Sequence, residues 1–253
     1  MGERFEDGFA GRVAVVTGGG TGMGRELVRQ LTADGCDVAT CDVIGANLRE
    51  TAAMCAEAGN PGQVLEVVAD VADEAQVLAF RDAVAEWRPH VHLLFNNAGI
   101  GGGGSIVDGD RAAWEKTFAV CWYGVYYHVR AFLPLLMQAD VGHVVNTSSV
   151  NGFWASLGPA NPHTAYSAAK FAVKGFTEAL ITDFRVNAPH IHASVVMPGH
   201  IGTSIALNSM RLHLGEDADL DPTMQAMGEA FRDAAPVSAA EAATVILDGV
   251  RAD

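Results

Sequence analysis

Tyr166 and Lys170 stand four residues apart in Tyr-Ser-Ala-Ala-Lys, within a stretch of helical spacing. On a helix that separation puts both side chains on one face, one turn apart. A free tyrosine has a pKa of about 10 and is a poor base near neutrality. Lowering it by about 3 pKa units takes roughly 4 kcal/mol of preferential phenolate stabilisation. A cation about 4 Å away, at an effective dielectric of about 20, supplies about that much. Tyr166 is then able to take a proton from an alcohol, with a serine hydroxyl holding the same oxygen. Serines for that task stand at 148 and 149, in Asn-Thr-Ser-Ser. Tyr/Lys pairs at this spacing also arise by chance on solvated helix faces, so the rest of the chain must supply the context.

A second stretch does so. Thr17-Gly18-Gly19-Gly20-Thr21-Gly22-Met23-Gly24 follows the apolar run Val13–Val16 and leads into the helical pattern of Leu27, Val28 and Leu31. Glycines let the backbone bend and let a phosphate approach without a Cβ in the way. The free N–H groups and dipole of the helix start favour negative charge. The spacing is neither G-x-G-x-x-G nor a P-loop, since no Gly-Lys-Ser/Thr follows.

The elements that must carry these residues alternate along the whole chain. Strands are expected at Val13–Val16, Asp37–Cys41, Val64–Val68, Val91–Phe95, Gly142–Thr147 and Ile191–Met197. Helices are expected near Gly22–Ala33, Ala46–Glu57, Glu74–Trp87, Arg111–Leu133 and Ala165–Val186, with Pro134 ending or kinking the fourth. Such alternation implies an α/β fold with a parallel sheet and helices on both faces. Ligands of these sheets bind beyond the carboxyl ends of the strands. Asp42 lies there, after the second strand, where an acidic residue accepts hydrogen bonds from an adenosine ribose and repels a 2′-phosphate. Arg25 and Arg49 are the nearest cations that would favour NADP; on balance NAD is expected. From Ser204 to about Arg232 the periodicity is poor and methionines recur (Met210, Met224, Met227), as in a mobile lid over a substrate.

The run T-G-x-x-x-G-x-G at Thr17–Gly24, Asn96-Asn97-Ala98-Gly99, Ser149, Tyr166-x-x-x-Lys170 and Pro198-Gly199-His200-Ile201-Gly202-Thr203 come in one order. With them the chain resembles the classical short-chain dehydrogenase/reductase (SDR) family over about Arg12–Thr203. The resemblance implies a doubly wound, Rossmann-type parallel sheet of order 3-2-1-4-5-6, in one domain spanning residues 1–253. It implies an oxidoreductase that moves hydride between a secondary alcohol or ketone and a nicotinamide. In that reading Tyr166 is the general acid/base, Lys170 tunes it and binds the nicotinamide ribose, and Ser149, favoured over Ser148, orients the substrate oxygen. The cofactor-binding set is Gly18, Gly20, Thr21, Gly22, Met23, Gly24, Asp42, Asp70, Val71, Asn97, Ala98, Gly99, Tyr166, Lys170, Pro198, Gly199, Ile201 and Thr203. Asp70 either meets the adenine amino group, as in the family, or caps the helix starting near Asp73. Family members commonly form homo-oligomers, tetramers or dimers, by pairing the helices at Arg111–Leu133 and Ala165–Val186.

Two features depart from the family. Cys121 stands where the family has an Asn that supports a water linking the catalytic lysine to solvent, so slowed or altered proton relay is expected; alternatively Cys121 is a small buried hydrophobe. Classical relatives add a seventh strand after the last helix, whereas here Ala239–Val250 reads as a helix and the sequence stops at Asp253. The segment from Gly152 to His163 carries Phe153, Trp154, Leu157, Pro159 and Pro162; in the family it faces substrate, which points to an apolar or ring-containing one or, equally, to ordinary packing.

Other classes fit less well. Ser149 lacks the G-x-S-x-G elbow of a serine hydrolase. His90-x-His92 and His190-x-His192 have ligand spacing, but they precede strands four and six, away from the cleft and not adjacent, so no metal is expected. A non-catalytic NAD-binding regulator, suggested by Cys121, is opposed by the intact Ser149, Tyr166 and Lys170. The chain has 253 residues and a formal net charge of −14, which argues against nucleic acid or an anionic membrane as partner. Cys36, Cys41, Cys55 and Cys121 form no C-x-x-C pair. With no signal peptide in Met1–Asp7 and no apolar run of about 20 residues, a cytoplasmic enzyme is expected.

Overall fold

The computed structural model describes residues 5–156, 162–215 and 220–253. Strand β1 (Val13–Thr17) is buried at all five positions. A strand covered on both faces needs apolar side chains throughout, and β1 has them. Val13 and Val15 enter a core with Phe80, Phe132, Leu136 and Phe184, whereas Ala14 and Val16 meet Leu27, Leu31, Ile246 and Leu247 on the other side.

β2 (Asp37–Asp42), β3 (Val64–Val68), β4 (Leu93–Asn96), β5 (Gly142–Thr147) and β6 (Ile191–Val196) join β1 in a six-stranded parallel sheet. Its order is β3-β2-β1-β4-β5-β6. α1 (Gly22–Ala33) shares the second core with α9 (Ala239–Arg251); α3 (Glu74–Trp87), α5 (Gly124–Leu136) and α6 (Thr164–Asn187) share the first, and α2 (Gly45–Glu57) follows β2. This is the doubly wound, Rossmann-type fold that the alternation implied. The chain reverses direction across the sheet between β1 and β4, and ligands of such sheets lie at that crevice. Thr17 and Asn97 tie its two walls together: Asn97 donates its backbone N–H to Thr17 Oγ1 and its side-chain amide to Thr17 O, both at 3.0 Å.

Several boundaries differ from expectation. β4 begins at Leu93, not Val91. The helix expected over Arg111–Leu133 is α4 (Arg111–Phe118), a π-helical turn at Ala119–Tyr123, and α5. α5 does not stop at Pro134, because Leu135 and Leu136 beyond it are buried in the core. Pro134 itself faces solvent, where water can donate to the Arg130 carbonyl that its missing N–H leaves without a partner. The weakly periodic segment after Ser204 is helical as α7 (Ile205–Leu214) and α8 (Pro222–Asp233), with residues 216–219 outside the described residues. A two-stranded parallel ribbon, β7 (Ile201–Gly202) with β8 (Val237–Ser238), was not foreseen. Among the described residues the main sheet has no seventh strand, and α9 opens on a capping box of Ser238 and Glu241. Phe5 and Phe9, to which the sequence assigns no element, are buried in the second core. No described helix is long and apolar enough to cross a membrane.

Candidate active site

β5 ends at Thr147, and the chain turns over Ser148 and Ser149 into a single 3-10 turn at Val150–Gly152. The two serines part there. Ser148 is buried and donates its hydroxyl to the carbonyl of Lys170 at 2.7 Å. Ser149 Oγ accepts the N–H of Asn151 at 3.2 Å, which leaves its own proton for another acceptor. Asn151 reaches Ser167 on α6 at 3.2 Å, fixing the turn against that helix.

α6 presents Tyr166 in its first turn and Lys170 one turn on. The Lys170 side chain, 2% exposed, donates to the Thr147 carbonyl at 2.7 Å. Its Nζ lies 5.5 Å from the centre of the Tyr166 ring. Holding an ammonium in so buried a place costs solvation, which the carbonyl and the ring face offset in part. Ser149, Tyr166 and Lys170 line one cavity of about 960 Å³, together with Ser148, Asn151, Pro198, Gly199 and Ile201. Helices α7 and α8 roof it with Met210, Leu214, Met224 and Phe231; Met227 does not reach it. Phe153 and Trp154 point elsewhere: they are 68% and 63% exposed and do not line it, so the apolar wall comes from the roof. Leu157 and Pro159 lie outside the described residues.

A second cavity of about 190 Å³ continues from the first through Met23, Asn97, Gly99, Thr203 and Ile205, which line both. Its walls include Gly18, Thr21, Gly22, Asp42, Asp70, Val71 and Ala98. Gly22, with φ of +57°, starts α1, and the N-cap Thr21 makes no side-chain cap bond to the first turn. The first N–H groups of α1 therefore remain for a ligand. A Cβ at Gly18 would lie 2.9 Å from Ala98 Cα, so the close approach of the two walls demands glycine there. Gly20 and Gly24 line neither cavity. Gly20 N–H binds Asp42 at 3.1 Å, and a Cβ on Gly24 would run into the Gly18 carbonyl, so Gly24 serves the packing of α1 on the turn.

Asp42 also accepts from Ile44 N–H at 3.1 Å, and burial pushes its carboxyl pKa up against these bonds. Arg25 is committed to the Gly20 carbonyl at 2.8 Å and to Glu50 at 2.6 Å, while Arg49 is exposed and lines neither cavity. The two readings of Asp70 separate. Asp73 is the cap of α3, accepting from Ala75 and Gln76, while Asp70 stays at the cavity wall and accepts from Ala72 N–H at 2.9 Å.

Cys121 is fully buried at the centre of the π-helical turn, and its thiol donates to the Ile100 carbonyl at 3.3 Å. The glycine stretch 101–104 is pinned. Gly101 accepts from His213 at 2.9 Å and donates to Ser209 at 2.8 Å, and Gly104 accepts from Thr164 at 2.8 Å. His163, His200 and His213 line the large cavity; the sequence gives none of them a role of its own, His163 closing the Gly152–His163 segment and His200 filling a variable place of the Pro198–Thr203 motif. The histidine pairs lie at the other end of the sheet. His92 Nδ1 accepts Val13 N–H at 3.0 Å, and β5 separates β4 from β6, bringing His143 beside His192 with Asp253 against both.

Residues 12–211 match the family described as short chain dehydrogenase. The chain belongs to that family. Levodione reductase of Leifsonia aquatica is 35% identical over 204 residues, 80% of this short-chain dehydrogenase and 74% of its own length. A short-chain dehydrogenase/reductase from Burkholderia phymatum, solved in complex with NAD, aligns over 99% of this chain and 87% of its own, at 33% identity and a TM-score of 0.83. A metagenomic short-chain oxidoreductase solved with NADP aligns over 76% and 83%, at 29% identity and a TM-score of 0.68.

Proposed function

We propose that this short-chain dehydrogenase interconverts an apolar secondary alcohol and its ketone, with NAD in preference to NADP. The observation that carries the reading is that Ser149, Tyr166 and Lys170 line one cavity, with the buried Lys170 ammonium against the Tyr166 ring. The small cavity suits the adenosine and pyrophosphate end of a dinucleotide: open first-turn N–H groups of α1 for its phosphates, and the Asp42 carboxylate for a ribose. Neighbouring structures hold either NAD or NADP, so the preference rests on Asp42 and on Arg25 being spent. When bound, the nicotinamide supplies two-electron redox chemistry at the substrate carbon.

The chain's own residues do the rest. Ser149 donates a hydrogen bond to the substrate oxygen. Tyr166 accepts the hydroxyl proton in oxidation and returns it in reduction, and the Lys170 charge stabilises its phenolate. α7 and α8 cover the cavity, and α7 is joined to the glycine turn by Asn208, which donates to Thr21 at 3.0 Å. The aromatic and aliphatic side chains left exposed on the π-helical turn, α5 and α6 (Tyr123, Tyr126, Phe171 and Ile181) support a homo-oligomer built on that face. Phe171→Glu should reduce the mass measured by light scattering, and an unchanged mass rejects that face. Four buried thiols without disulfides suit a reducing compartment such as the cytoplasm.

The test is a panel of secondary alcohols and ketones followed by nicotinamide absorbance with both dinucleotides. Tyr166→Phe should bind NAD as the parent does and lose about 10²–10⁴-fold in turnover. Parent-like turnover in that variant rejects the reading.

A further inference from the structure

Resting on that reading, we propose that His163 relays the proton between Tyr166 and solvent. After each alcohol oxidation Tyr166 holds a proton that must leave before the next turnover. On the inner side of the pair the neighbouring polar side chains already have partners. Lys170 is buried and donates to the Thr147 carbonyl, and the Cys121 thiol is already given to the Ile100 carbonyl. A Cβ on Gly99 would sit in ordinary contact with both, 3.5 Å from Lys170 Nζ and 3.8 Å from Cys121 Sγ, so the three residues surround a space of about one methyl group.

The outer side is different. His163 is the residue before α6, and its ring meets the Tyr166 ring edge-on, 6.4 Å between centres at 64°. It lines the large cavity beside Ser149 and Tyr166. It makes no cap bond to α6, and neither nitrogen has a hydrogen-bond partner among the described residues. The other two cavity histidines differ: His200 is bound to the Phe231 carbonyl at 2.7 Å and His213 to Gly101 at 2.9 Å. An imidazole with both nitrogens open is the side chain suited to pass protons near neutral pH. The titratable groups around it are Tyr166 and Lys170 on α6, His200 after β6 and His213 on α7; no described wall residue of the cavity is a carboxylate. In the relay the Tyr166 O–H bond breaks and the proton goes to one imidazole nitrogen, directly or through one water. The opposite nitrogen then releases its proton to solvent. In ketone reduction the order reverses, and no electrons are exchanged.

His163→Gln keeps a polar side chain that does not take up and release a proton. It should lower kcat for alcohol oxidation about tenfold or more, leave KM within about twofold, and change the pH profile. His163→Ala should regain turnover as imidazole is added to the buffer. On the dinucleotide-free protein, the ¹⁵N titration of His163 should differ between the parent and Tyr166→Phe. Parent-like kcat and pH profile in His163→Gln, activity of His163→Ala that imidazole does not raise, or identical ¹⁵N titrations each overturn the relay. An inactive Tyr166→Phe beside an unimpaired His163→Gln overturns the relay alone; an active Tyr166→Phe overturns the proposed function with it.

Discussion

Asp42 has to do two things with one carboxylate. Its oxygens accept the N–H groups of Gly20 and Ile44, which ties the glycine turn to the end of β2, and the residue also lines the small cavity. Burial raises its pKa, and the backbone bonds and Arg25 only partly oppose that. A carboxyl is a full acceptor for ribose hydroxyls only when ionised. Below its raised pKa it holds a proton and that capacity is lost; above it the capacity is complete. The affinity for NAD should therefore fall as pH descends through that pKa, with a limiting slope of one proton in a fluorescence titration. Asp42→Asn should flatten the dependence and weaken binding about tenfold or more, the worth of a charge-assisted hydrogen bond. A variant that keeps the parent's pH dependence assigns the effect to another group.

At the scale of elements, the strand, glycine turn and helix start at Val13–Ala33 act as one part. α1 packs so closely on the turn that a Cβ at Gly24 would meet the Gly18 carbonyl and the Asn97 side chain. Gly24→Ala should cost about 1–3 kcal/mol in denaturant unfolding, and the shifted turn should also weaken NAD binding. An unfolding midpoint like the parent's would show that α1 tilts freely, contrary to this packing. This part was legible in the sequence because its signals are local: an unbroken apolar run, glycines where walls meet, then a 3.6-residue period. The pairing of Tyr166 with Lys170 was legible for the same reason. The π-helical turn was not, because one extra residue per turn leaves the apolar pattern of Val120, Cys121 and Val125 looking helical. Phe5 and Phe9 were hidden as isolated aromatics in a stretch without periodicity; the core they enter is assembled from β1, α1 and α9, the last arriving from the far end of the chain. The cavity histidines were hidden too, since their meaning depends on where α6, α7 and the segment after β6 converge.

At the scale of the whole molecule, two buried imidazoles set its response to acid. His128 is enclosed with Phe80 and Phe132 at ring distances of 6.2 and 5.9 Å, and hydrogen-bonds the Gly124 carbonyl at 2.7 Å. Burial pushes its pKa down to about 4. His92 is pushed to about 4 by burial, helped by the positive charges of Arg12 and His90, while its Nδ1 must stay unprotonated to accept Val13 N–H. In the unfolded chain both titrate near 6.5. A base whose folded pKa is depressed gives stability that is complete above the unfolded value and is lost as pH falls toward the folded one. The window is therefore about pH 6.5 to 4, and a difference of about 2.5 pKa units corresponds to about 3 kcal/mol for each histidine. Denaturant unfolding of the dinucleotide-free protein, followed across that window at fixed protein concentration, should show several kcal/mol of lost stability. His128→Phe places a third aromatic ring among Phe80 and Phe132 and removes one titrating group. Whatever its stability at pH 7.5, its loss between pH 6.5 and 4 should be smaller than the parent's by about one histidine's share. If the variant loses stability over that range as steeply as the parent, His128 is not held neutral by its burial.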